Sequence, residues 1–202
     1  MKFASEKIVQ LLSHDGIAEY YGSIMPANEA RDFFDLLLNT INWKNDEAVI
    51  FGRHIITKRK VAWYADQNYP YTYSGKTRQA MPWTSELTIL KKLAEDLIST
   101  SFNSCLLNLY HDGSEGVAWH SDDEKALARH APIASLSFGA ERKFSFRHKK
   151  TKEIISLNLP PGSLLVMRGA TQDNWVHSLP KTTRVKNARI NLTFRAMVPQ
   201  IH

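Results

Sequence analysis

The chain has one cysteine, Cys105, in 202 residues. An internal disulfide framework is therefore excluded, which suits a reducing compartment. No run approaches the roughly 20 apolar residues that cross a bilayer, so no membrane partner is expected. The opening MKFASEKIVQLLSHDG meets charge within a few residues and lacks an apolar stretch closed by small residues. No secretory leader is expected from it. Repeats, low-complexity tracts and linkers are missing too, so residues 1–202 read as a single domain. A chain this long buries roughly 70 % of its unfolded surface and needs no staples. Its hydrophobic fraction of 43 % is that of a soluble globule. Acids are the minority charge, 20 against 26 Lys and Arg, for a net +6. That excess favours a polyanionic partner, nucleic acid first, over a merely solvated basic surface. KRK at 58–60 and RHKKTK at 147–152 gather it locally.

Two textures divide the chain. The first third reads as helical. PANEARDFFDLLLNTINW starts at Pro26, and Phe33, Phe34, Leu37, Leu38 and Ile41 recur at helical spacing. TSELTILKKLAEDLIST offers Thr84 or Ser85 as a cap and a stripe of Leu87, Leu90, Ala94, Leu97 and Ile98. From Cys105 onward CLLNLY, IASLSFG, KFSFRH, IISLNL, SLLVMRG, NWVHSL and RINLTFRAM are short, β-rich and separated by turn residues. Seven such segments predict an α+β, mainly β chain with a sandwich or jelly-roll core, its outer face covered by the two helices. Residues 1–100 hold the helices, and 101–202 the core.

The scarce acids crowd at VAWHSDDE, 117–124. His120 and Asp122 are two apart and share a face if the segment is extended. A second histidine on a later strand, His177 in NWVHSLP, completes two imidazoles and a carboxylate. Non-haem Fe(II) oxygenases use that set, and zinc hydrolases use the same ligand types, so the three residues alone leave both open. In RINLTFR, Arg189, Asn191, Thr193 and Arg195 share one strand face, and Ile190, Leu192 and Phe194 the other. The arginine face either meets solvent or lines a polar pocket. Six steps of about 3.3 Å put the two arginines about 20 Å apart at Cα. Their side chains are long enough to converge on a small dicarboxylate, which arginine captures in bidentate fashion. Asn108 and Tyr110 in NLY again lie two apart.

NLYHDG, WHSDDE, PIASLSFGAERKFSFRHK, GSLLVM, WVHSLP and RINLTFR, in this order and spacing, resemble the AlkB family of Fe(II)- and 2-oxoglutarate-dependent nucleic-acid dealkylases. The resemblance spans about residues 45–199 and is nearest to the branch with the human repair homologues. It implies a double-stranded β-helix (jelly roll) core with N-terminal helices on one face and a nucleotide-recognition lid. It implies iron held by His120, Asp122 and His177, the catalytic set. It implies 2-oxoglutarate held by Arg189 and Tyr110 at the distal carboxylate, with Arg195 and Asn108 near the keto-acid end and Asn191 and Thr193 lining the pocket. With O2 the expected products are succinate, CO2 and a hydroxylated N-alkyl group that leaves as an aldehyde, formaldehyde from a methyl. 1-Methyladenine and 3-methylcytosine are the expected lesions.

The same resemblance assigns substrate contacts. Asp123 and Glu124 match an acidic pair suited to a cationic alkylated base and its exocyclic amine. Tyr73, in YTYSG, matches a stacking wall. VIFGRH matches a wedge: Phe51 fills the gap of a flipped base beside Ile50, Gly52 makes the turn and Arg53 meets a phosphate. Alkylated DNA is the expected partner, with single strands or RNA open. The chain is expected to act as a monomer in the cytoplasm, or in the nucleus of a eukaryote.

Overall fold

The computed structural model describes residues 8–50, 53–67, 69, 71–73 and 76–198; for 48–50, 53–55, 71–73 and 76–78 it describes backbone only. In chain order the elements are β1 (Val9–Gln10), β2 (Ile17–Ser23), α1 (Ala27–Thr40), β3 (Lys44–Ile50), β4 (Arg53–Ala65), β5 (Tyr71–Tyr73), β6 (Lys76–Arg78), α2 (Ser85–Ile98) and β7 (Ser104–Tyr110). They continue with β8 (Val117–His120), β9 (Ile133–Gly139), β10 (Arg142–His148), β11 (Ile154–Leu159), β12 (Ser163–Arg168), α3 (Thr171–Asn174), β13 (Trp175–Leu179) and β14 (Arg189–Arg195). All seven segments expected as strands after Cys105 are strands.

The strands form two facing antiparallel sheets and a separate short hairpin, β5–β6. The larger sheet runs β1-β2-β12-β9-β14-β7-β4-β3 and the smaller β11-β10-β13-β8. Parity in β14 sorts the layers. Ile190, Leu192 and Phe194 point outward into an apolar cluster with Leu37 of α1 and Leu87, Leu90 and Ala94 of α2. The intervening residues face the space between the sheets. There Phe144, Phe146, Leu165, Met167 and Trp175 build a second cluster. One end of that space is apolar and filled; the other is polar.

The helices form where the apolar periodicity placed them. Thr84 caps α2 by accepting from the Leu87 amide. Leu97 departs from its stripe and is exposed. At 100° per residue it lies about 80° from Leu87, whereas Ile98 returns to within about 20° and is buried. The helical reading of the first third needs correction. Residues 9–65 supply β1, β2, β3 and β4 to the larger sheet, so the sheet does not divide at residue 100. β4 pairs along β7 from Lys60↔Leu109 to Ala65↔Ser104. Its stretch TKRKVA carries charge where a half-buried strand normally alternates, and tertiary pairing rather than local pattern makes it a strand. No helix among the described residues is long and apolar enough to cross a membrane.

Candidate metal centre and its carboxylate pocket

β8 and β13 pair so that His120 stands opposite His177. The registration needs a close approach just upstream: a Cβ on Gly116 would collide with the Leu179 carbonyl. Glycine lets the strands meet there. The imidazole centroids are 4.2 Å apart, and one ligand atom each from His120, Asp122 and His177 lies within 4.8 Å of the others. His120 Nδ1 sits 2.8 Å from the Ala118 carbonyl. A carbonyl only accepts, so Nδ1 carries the proton and the Nε2 lone pair faces Asp122, 3.8 Å from its Oδ1. Burial, then the neighbouring His120, push His177 down to about 3, so its ring is neutral near pH 7. Burial alone would raise the Asp122 carboxyl; Arg195 and the two histidines outweigh it and hold Asp122 below the usual range. Arg195 donates from Nη2 to Asp122 Oδ1 at 2.9 Å and places Nη1 3.8 Å from Glu124 Oε1. The Asp122 amide is held by the Gln172 side chain. Two imidazoles, that of His177 held neutral by burial, and an ionised carboxylate on one cavity wall have the donor chemistry of a divalent-metal site.

The cavity continues from these three residues along β14 and β7, with about 740 Å³ of empty space including its mouth. Asn108, Tyr110, Arg189, Asn191, Thr193 and Arg195 all line it. Arg189, at the far end from Asp122, is 2 % exposed. It donates to Ser137 Oγ and Asn191 Oδ1 at 2.9 and 2.8 Å and lies over the Tyr110 ring. No carboxylate pairs with it among the described residues, and its buried Nε has no hydrogen-bond partner there. Burial pushes this guanidinium down to about 10. A buried cation with donors to spare fits the carboxylate of a small diacid. Arg195, at the metal end of the same cavity, is held against Asp122 and lies beside the expected keto-acid end.

Glu124 lines this cavity and also a second one of about 880 Å³ between the 121–132 loop and the 168–173 segment; Asp123 is exposed and lines only the second. Tyr73 ends β5, opposite Lys76; Ile50 and Arg53 face each other where β3 meets β4. Their side chains, and Phe51 and Gly52 altogether, lie outside the described residues. The structure adds residues that sequence reasoning passed over. Ser135 and Ser137 hold Asn191 and Arg189. Buried Asp46 and half-buried Arg59 form an ion pair in the cavity wall that Tyr110 also lines. Burial alone would lower Arg59; Tyr110 and Asp46 outweigh it and raise it.

The chain matches the model of the 2OG-Fe(II) oxygenase superfamily over residues 18–195. It is 42 % identical to mouse DNA oxidative demethylase ALKBH2 over 158 residues, 74 % of this chain and 66 % of that one. It is 38 % identical to human alpha-ketoglutarate-dependent dioxygenase alkB homolog 3 over 200 residues, 93 % of this chain and 69 % of that one. A bovine alkB homolog 3 is 40 % identical, with 63 % of its length covered. The chain thus spans about two thirds of the length of these curated relatives. The solved structure of OsALKBH1 superposes with a TM-score of 0.61 at 14 % identity, covering 94 % of this chain and 100 % of that one, and shows the shared fold.

Proposed function

Since the chain belongs to the 2OG-Fe(II) oxygenase superfamily and, within it, to the AlkB homologues, we propose that it is a dioxygenase that removes N-alkyl groups from damaged bases in DNA. 1-Methyladenine and 3-methylcytosine are the lesions, and residues 1–202 act as one domain and one monomer. With Fe(II), 2-oxoglutarate and O2 bound, the chemistry supplied is hydroxylation of the alkyl carbon, with succinate and CO2 formed and formaldehyde lost from a methyl.

The residues divide the work as follows. His120, Asp122 and His177 hold the iron. The proton on His120 Nδ1, given to Ala118, keeps Nε2 free as a ligand. Arg195 keeps Asp122 ionised and stops it from rotating away. Arg189, levelled by Ser137, Asn191 and the Tyr110 ring, takes the distal carboxylate of 2-oxoglutarate. Arg195 and Asn108 border its keto-acid end, and Asn191 and Thr193 line the pocket. Glu124, at the junction of the two cavities, and Asp123 stabilise the cationic base; Tyr73 stacks on it. Phe51, beside Ile50, Gly52 and Arg53, fills the vacated stack in a duplex.

The observation that carries this reading is a buried guanidinium, Arg189, with no carboxylate partner among the described residues, in the same cavity as the two imidazoles and the ionised carboxylate. A metal hydrolase needs no such diacid clamp. The test is formaldehyde and succinate release from methylated oligonucleotides, single- and double-stranded, DNA and RNA. Release that needs both Fe(II) and 2-oxoglutarate is expected, with duplex DNA slightly preferred. Binding without release would make the chain an idle nucleic-acid binder, and release from RNA or single strands alone would move the polymer assignment.

A further inference from the structure

Outside this cavity a second group of ligand-type side chains sits where the loop before β2 meets the β10–β11 turn. We infer that His14, Asp15 and His148, backed by Glu153, form a site for a divalent transition metal that ties these two segments together.

One ligand atom from each of His14, Asp15 and His148 lies within 4.8 Å of the others. Asp15 Oδ2 is 3.0 Å from His14 Nδ1 and 3.4 Å from His148 Nε2. Ligand atoms about 2.0–2.1 Å from a tetrahedral zinc are about 3.3 Å apart, so two edges of the ligand triangle already have the right length. His14 Nε2 faces a carboxylate, as the outer nitrogen of a metal-bound histidine usually does, whereas His148 Nδ1 accepts from the Thr151 amide beside the Thr151 hydroxyl. His14 Nε2 lies 3.1 Å from Glu153 Oε2, and His148 Nδ1 lies 3.0 Å from Thr151 Oγ1. His148 is the independent pointer to a ligand. It is 2 % exposed, its Nε2 is aimed at the Asp15 carboxylate, and that nitrogen makes no hydrogen bond among the described residues. With Nδ1 accepting from the Thr151 amide, Nε2 carries the proton; a buried N–H left without a hydrogen bond is costly, and replacing that proton by a metal ion relieves it.

His148 packs edge-on against Trp175, His14 lies tilted beside it, and the indole nitrogen donates to the His14 carbonyl. The His148 ring is therefore placed before any ion arrives, and His14 and Asp15, both exposed, shift to close the third edge. The Thr151 amide also points at His148 Nδ1. Metal binding puts the proton on Nδ1, turned to Thr151 Oγ1, and releases that amide to water. Mixed imidazole and carboxylate donors select zinc, cobalt, nickel or copper over calcium or magnesium. The ion would clip the N-terminal loop to the end of β10 and leave the iron ligands untouched.

Cobalt(II) is the probe, titrated into the full chain by equilibrium dialysis with visible spectra and thermal melts. Wild type takes two equivalents. Asp122→Ala takes one, and that one raises Tm by about 5 °C at saturating metal. His14→Ala, at an exposed position, takes one and loses that gain, while its formaldehyde release with Fe(II) stays within about twofold of wild type. His148→Gln repeats the loss with the buried partner. No binding to Asp122→Ala, or two equivalents still bound by His14→Ala, overturns the proposal. Neither result bears on the dioxygenase reading, which the release assay decides separately.

Discussion

A neutral imidazole in the interior makes the protein sensitive to acid. His177 titrates near 3 when folded against 6.5 in the unfolded chain. Between those values the unfolded state holds the extra proton. Stability of the metal-free protein thus falls as pH drops from about 6.5 toward 3, by at most about 1.4 kcal/mol per unit from this group. Asp122, whose folded value is lowered, adds its own loss only below the ordinary carboxyl range. Urea titrations at several pH values check this: His177→Gln flattens the decline between about pH 6 and 4, and an unchanged slope refutes the assignment. Arg189→Met is expected to raise the KM for 2-oxoglutarate about 10- to 100-fold, the worth of a charge-assisted hydrogen bond, with kcat less affected. An unaltered KM removes Arg189 as the anchor. His120→Ala, at a half-buried position, should reduce succinate formation to background while the melt stays cooperative. Much of this was legible in the chain because residue type and spacing of two both survive folding: HxD, NLY and RINLTFR each place alternate residues on one face. The alternation of Ser135 and Ser137 with Leu136 and Phe138 carried the same signal. Arg59 and Asp46 carried none, since a basic residue inside KRK reads as surface until its partner strand covers it.

The elements transmit these positions through register. β8 is only four residues long, yet it sets His120 against His177 because β13 can approach Gly116. Gly116→Ala is expected to push β8 from β13 and cost turnover at least tenfold, with a smaller loss of Tm than a core truncation. Comparing kcat with the melting curve checks it; equal activity means the strand relaxes elsewhere. Leu37→Ala, at a fully buried position of α1, should cost about 2–5 kcal/mol and leave activity per folded molecule intact. The late strands were readable because apolar residues alternate along them between turns. β3 and β4 were not, since their charged residues mask the alternation and their strand character comes from β7. VAWH is too short for any periodicity to speak.

At the scale of the whole molecule, a net +6 on 202 residues predicts that oligonucleotide affinity declines with salt. For three or four phosphate contacts the loss is tens of fold between 50 and 200 mM, read from the slope of log K against log salt. A flat slope would move recognition away from phosphates. β4 joins the β3–β4 tip and the cavity wall into one girder. Thirteen residues run from the tip beside Ile50 to Ala65, with an irregularity where pairing to β3 shifts, and there Arg59 pairs with Asp46 in the wall of the cavity that Arg189 and Tyr110 line. Grafting a foreign tip onto that girder would retune which damaged strand is gripped without rebuilding the iron nest. Slipping the girder by one residue would turn Arg59 to the opposite face and unseat both.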